Sequence, residues 1–236
     1  HRTMEIVRLG EGVDETGHFS DAALARTANA LEGYATIMDI ERVNKVRMVA
    51  TSASRDAANK DEFFAMTAEL LGQIRPGACA QVITGEEEAK LSFIGAVAYL
   101  SKEQGPFCVI DLGGGSTEFV VGVAGGQLLG SYSSQMGCVR ISERIMQSDP
   151  PTPEEVEAAR QYVAERLAEV QEIVPIASAK TFVGCAGTFT TIAALVLGLE
   201  KYEPKAIHDC HLRFDGLRAL TRELISITSA ERRANP

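Results

Sequence analysis

Residues 107–123 read FCVIDLGGGSTEFVVGV. A mostly apolar run ends at the carboxylate of Asp111. Gly113, Gly114 and Gly115 follow, then Ser116, Thr117 and Glu118, and a second apolar run closes at Val123. Apolar runs of this length, rich in Val, Ile and Phe, predict two buried strands, and the short link between them predicts a β-hairpin. Three glycines strip every Cβ from the tip, so backbone N–H groups can approach a small anion without steric cost. Asp111 and Glu118 flank the tip, where two carboxylates can hold a divalent cation against the same anion. A tight turn needs only one or two glycines for its geometry, which favours phosphate binding over a bare turn with solubilising acids.

Working outward, 236 residues suffice for one large domain or two smaller ones with real cores. Apolar residues make up 45% and charged residues 23%, as in an ordinary soluble protein. No apolar run approaches the ~20 residues that cross a bilayer, and no signal peptide opens the chain, so no membrane association is expected. Cys79, Cys108, Cys138, Cys185 and Cys210 are scattered, two of them inside strand-like runs, which suggests reduced thiols and a cytoplasmic location. The net charge of −9 argues against nucleic acid as a partner. A polyanion bound by so acidic a chain must be held locally, by amides, a cation and a few arginines.

Upstream, residues 4–9 read as a strand, and Ser20 is placed to cap a helix with Leu24, Ala28, Leu31, Ala35 and Met38 at helical spacing. Short buried strands are expected at residues 46–50 and 82–83, with a helix over 63–71 between them. Thr84 and Glu87 form a capping-box pattern that starts a helix at about Gly85. Glu86, Glu87 and Glu88 then fill its first turn, where the helix dipole favours acids. The cap explains one glutamate, and a catalytic carboxylate is the other use for such a cluster.

Downstream, residues 127–134 predict a third strand and 139–146 a short helix. Thr152-Pro153-Glu154-Glu155 is a second capping box with proline at the first helical position, opening a long amphipathic helix. A strand at 181–185 leads through a second small-residue turn, residues 184–191, into an apolar helix. That turn suits either ligand approach or close helix–strand packing. A last helix is expected over 215–228. The alternation predicts an α/β fold with mixed sheets. The polar loop 101–106, with Gly105-Pro106, is the natural boundary between a first lobe of residues 1–105 and a second of 106–236. No Walker loop and no Gly-x-Ser-x-Gly elbow occur, so Ser116 reads as a phosphate ligand, not a nucleophile. His208-Asp209-Cys210-His211 has neither zinc-finger nor helix-face spacing and reads as surface loop.

RLGEG (8–12), ATSASRDAAN (50–59), ITGEEEAKLSFIGA (83–96), VIDLGGGSTEFVVG (109–122) and MGCVRISE (136–143) occur in this order. Together with GCAGTFTT (184–191) they resemble the exopolyphosphatase and guanosine pentaphosphate phosphohydrolase family, over nearly the whole chain. The resemblance implies an actin-like ATPase and sugar kinase superfamily fold, with two ribonuclease-H-like lobes around a central cleft. It also implies magnesium-assisted hydrolysis of the terminal phosphoanhydride of inorganic polyphosphate, or of the 5′ γ-phosphate of guanosine pentaphosphate, by an enzyme that is often a homodimer. Carried over, the general base falls on Glu88, the phosphate-gripping arginine on Arg55, the metal carboxylates on Asp111 and Glu118, and the phosphate loop on Gly113, Gly114, Gly115 and Ser116. The family's opening phosphate loop has no counterpart after His1 and its closing glycine-rich strand none before Pro236, so the chain is expected to be incomplete at both ends. The alternatives are an ATP-using kinase or ATPase of the same superfamily, which shares the glycine hairpin, and a non-catalytic polyphosphate or nucleotide sensor.

Overall fold

The computed structural model describes residues 3–51, 54 and 57–234. The chain is α/β with one parallel and one mixed sheet, and it divides into two compact units, residues 1–88 and 89–236.

The first unit runs α1 (Val13–Thr16), α2 (Asp21–Ile40), β1 (Met48–Ala50), α3 (Lys60–Ile74), β2 (Ala80–Val82) and the first turn of α4 (Gly85–Val97). The Ser20 hydroxyl accepts from the N–H of Ala23 at 3.2 Å and so starts α2 where the pattern places it. β1 and β2 pair in parallel, with α3 as the crossover that a parallel pair requires. Phe19, Ala50, Ala57, Phe63 and Ala80 form the core. Buried Thr67 donates to the Phe64 carbonyl and accepts from the Ala80 N–H at 3.1 Å, tying β2 to α3 without an orphaned hydroxyl. The strand expected at residues 4–9 is not formed. Met4 and Ile6 stand 79% and 77% exposed, and among the described residues no strand offers that segment a ladder. A strand pattern without a hydrogen-bonding partner stays irregular.

The second unit holds β3 (Phe107–Leu112), β4 (Thr117–Val123), β5 (Gln127–Ser134), α5 (Cys138–Arg144), α6 (Pro153–Ile173), β6 (Thr181–Cys185), α7 (Ala186–Val196), α8 (Pro204–Ile207), α9 (Phe214–Ser226) and α10 (Ser229–Ala234). Its sheet has the order β5-β4-β3-β6, antiparallel through the hairpin strands and parallel between β3 and β6. Side chains alternate across it. Cys108, Phe119 and Val121 face α6, which contributes Val163, Leu167 and Val170. Phe107, Val109 and Val120 pack on Phe93 and Val97 of α4. That second contact places residues 89–97 of α4 with the second compact unit. The Thr152 capping box forms with both of its bonds and sets the start of α6. Burial raises the Cys108 thiol from 9.0 to about 11.

Candidate functional site

β3 and β6 run parallel, so the turns that follow them leave the sheet at the same end, where open α/β sheets bind ligands. The first is the glycine tip. None of Gly113, Gly114 and Gly115 has a positive φ, so glycine is not needed there for backbone conformation. Its use is the absence of side chains. The N-terminus of α5 lies against the tip. Cys138 N–H donates to the Gly113 carbonyl (3.0 Å), Val139 and Arg140 N–H to that of Gly114 (3.0 and 3.1 Å), and Gly137 N–H to that of Gly115 (3.1 Å). The Arg140 guanidinium adds a bond from Nε to the Gly115 carbonyl at 2.8 Å.

This pattern orients the turn. In a trans peptide the carbonyl of one residue and the N–H of the next point in opposite directions. With three successive carbonyls turned onto α5, the N–H groups of Gly114, Gly115 and Ser116 point away from it, and among the described residues none of them donates to a protein group. Three neighbouring donors without protein acceptors are an arrangement that can take up an anion. The closest packing falls on a glycine that the local pattern reads only as a turn residue. A Cβ on Gly137 would lie 2.2 Å from the Gly114 oxygen, whereas one on Gly115 meets only Arg140 Nη2 at 3.8 Å.

The acids lie beside these donors. Strand register aligns Ser133, Glu118, Asp111 and Cys185 in one row across β5, β4, β3 and β6, on a common face. Asp111 and Glu118 are direct cross-strand partners, so the register sets two carboxylates side by side. Glu118 Oε1 accepts from the hydroxyls of Ser116 and Ser133, each at 2.7 Å, which fixes its carboxylate next to the tip. The Cys185 thiol is raised by burial and, secondarily, by the Asp111 charge, which brings the acid and the start of the second turn into electrostatic contact. Among the described residues no group of three or more His, Cys, Asp and Glu could enclose a metal ion. Two carboxylates in a half-buried row suit magnesium, which takes one or two protein oxygens and completes its shell with water and phosphate.

The three glutamates of α4 separate by contact. Glu87 N–H donates to Thr84 Oγ1 at 3.1 Å, so the helix cap forms, but the Glu87 carboxylate turns to Arg47 at 2.6 Å instead of closing the box. Glu86 is exposed and Glu88 half-buried, with the Glu88 N–H bonded to the Thr84 carbonyl. Arg55 lies outside the described residues. In the second turn Gly184 is required by packing, since a Cβ there would lie 2.3 Å from the Phe189 ring. A Cβ on Gly187 would meet nothing within 4 Å. Thr188 Oγ1 lies 3.8 Å from Cys138 Sγ, so the two turns adjoin. Arg140, Gly137 and Ser133 are the site residues that sequence reasoning missed. Their partners in the glycine turn and at Glu118 lie 15 or more residues away, and the stretch MGCVRISE marked only Gly137 and Arg140 among them.

Residues 1–235 match the family model described as the Ppx/GppA phosphatase family. Exopolyphosphatase 2 of Mycobacterium tuberculosis is 50% identical over 234 residues, 99% of this chain and 73% of that protein. Among solved structures, the Aquifex aeolicus PPX-GPPA enzyme is 33% identical, with a TM-score of 0.81 over 98% of this chain and 73% of that one. An exopolyphosphatase-like protein is 37% identical, with a TM-score of 0.82 over 100% and 74%.

Proposed function

The chain belongs to the Ppx/GppA phosphatase family, and on that premise we propose that it releases the terminal phosphate of inorganic polyphosphate by hydrolysis. The observation that supports this most directly is the outward-facing N–H triad of Gly114, Gly115 and Ser116 next to the Asp111–Glu118 pair. Phosphoryl transfer asks the protein chiefly to neutralise charge and to place a water in line with the leaving oxygen. In this reading the triad and the Arg55 guanidinium take the charge of the terminal phosphate. Asp111 and Glu118 would hold a magnesium ion, which when bound would supply further positive charge at the site. The Glu88 carboxylate accepts the proton of the attacking water.

A kinase would share the glycine turn, so it is family membership, and not the turn, that favours hydrolysis. Guanosine pentaphosphate presents the same terminal group. The name of the 50%-identical relative favours polyphosphate. The deciding experiment compares phosphate release from the two substrates in the wild type, Glu88→Gln and Asp111→Asn. Glu88→Gln is expected to lower kcat by roughly 10²–10⁴-fold, the usual share of a general base. Wild-type turnover in that variant would refute the base assignment. Asp111→Asn is expected to raise the magnesium concentration required, and an unchanged titration would remove Asp111 from the metal site.

A further inference from the structure

Arg140 falls within the stretch MGCVRISE that carries part of the family resemblance but has no role in the mechanism above, and its side chain reaches the glycine turn through the Gly115 carbonyl. Nε donates to the Gly115 carbonyl at 2.8 Å, and Nη2 donates to Gln135 Oε1 at 2.9 Å. The Gln135 backbone is in turn anchored, its carbonyl accepting from the Tyr162 hydroxyl of α6 at 2.8 Å. A planar guanidinium held at two edges is fixed in direction in a way that a flexible ammonium is not.

The peptide that it holds is the one whose other end carries the Ser116 N–H. A charged donor on a carbonyl polarises the amide and strengthens the N–H across it, as in any cooperative hydrogen-bond chain. We infer that Arg140 is a positioning residue of the phosphate turn: clamped by Gln135, it orients and polarises the Gly115–Ser116 peptide, and so strengthens anion binding at the Ser116 N–H without touching the anion. This rests on the phosphatase reading and assigns a further residue to the same site. It also implies a requirement for arginine. Lysine supplies the charge but cannot span Gly115 and Gln135 together.

The test uses the full chain with Arg140→Gln, Arg140→Lys, Gln135→Leu and the Arg140→Gln/Gln135→Leu double variant. KM and kcat for polyphosphate are measured alongside calorimetric binding of inorganic phosphate. Losing one charge-assisted bond from the turn is expected to raise KM and the phosphate dissociation constant together, by about tenfold, with kcat nearly unchanged. Gln135→Leu should shift both in the same direction by less, and the double variant should match Arg140→Gln alone, as coupled residues do. Arg140→Lys should resemble Arg140→Gln. Full rescue by lysine, or a Gln135→Leu variant that binds phosphate as the wild type does, would overturn the relay. Equal phosphate binding in Arg140→Gln would overturn it outright. If Arg140→Gln does not fold, Gln135→Leu carries the test through the outer end of the clamp alone. Phosphate binding needs no turnover, so a wild type that binds phosphate but hydrolyses no polyphosphate refutes the phosphatase reading and leaves the Arg140 result readable.

Discussion

The turn after β3 and the turn after β6 leave the same end of one sheet, yet their glycines meet different neighbours. After β3 the carbonyls of Gly113, Gly114 and Gly115 are all taken by α5 and Arg140, which leaves the N–H groups pointing outward. After β6 the demanding glycine is Gly184, and what it accommodates is the ring of Phe189, while Gly187 stands in open space. One turn has its carbonyls claimed and its N–H groups left without protein acceptors among the described residues. The other is shaped largely by a helix settling on a strand. Glycine content does not distinguish them, because a missing Cβ serves close packing and ligand approach equally well.

The contrast is tested most severely at Gly137. Gly137→Ala would set a methyl group 2.2 Å from the Gly114 oxygen, so backbone must move. We expect a stability loss of about 2–4 kcal/mol in urea and a fall in phosphate release of roughly a hundredfold, since small misplacements of a positioned group cost that much. An unchanged urea midpoint would mean that α5 does not brace the turn. Gly184→Ala is expected to cost about 1–3 kcal/mol by overpacking against Phe189, with activity per folded molecule retained. Loss of activity without loss of stability there would instead give the second turn a role at the ligand.

Gly187→Ala should be neutral or stabilising by up to about 1 kcal/mol, because alanine suits the first turn of α7 and has room. A stable but inactive Gly187→Ala protein would break the comparison, for it would show that the open space beside Gly187 is used by substrate. The smallest effect is read by thiol alkylation. Cys138, exposed beside the first turn, should react well before Cys185, whose proton is held by burial and by Asp111. A native thiol titrating above its unfolded value contributes stability in full below the unfolded pKa, and loses it as pH rises through the native one. For Cys108 that window runs from 9.0 to about 11. Asp111→Asn should speed Cys185 alkylation, and an unaltered rate would contradict the Asp111–Cys185 contact.

Much of this was legible in the residues. The hairpin at 107–123, the Ser20 cap of α2 and the capping box of α6 form where local pattern puts them, because each depends on neighbours a few residues away. One local signal went unread. Thr228 and Glu231 make a capping box, with Thr228 N–H donating to Glu231 Oε2 at 2.7 Å, and it starts α10 beyond the expected last helix. Residues 4–9 carry a strand pattern and form none, since β structure requires a partner that alternation cannot supply. The pairing of Glu87 with Arg47, 40 residues away, is likewise a contact that no reading of three consecutive glutamates supplies.

What the order of residues determined alone is short-range: the periodicities, the caps, the α/β alternation, and a family signature distributed over the whole chain. What only the tertiary structure decided is direction. Three glycines state that a backbone is bare, but the side on which its N–H groups emerge depends on which partner claims its carbonyls. Here the partners are the first turn of α5 and the guanidinium of Arg140, which sits 25 residues from the peptide it holds. Rotating a bare peptide costs little locally, so its orientation is set by whatever hydrogen-bonding surface the fold brings against it.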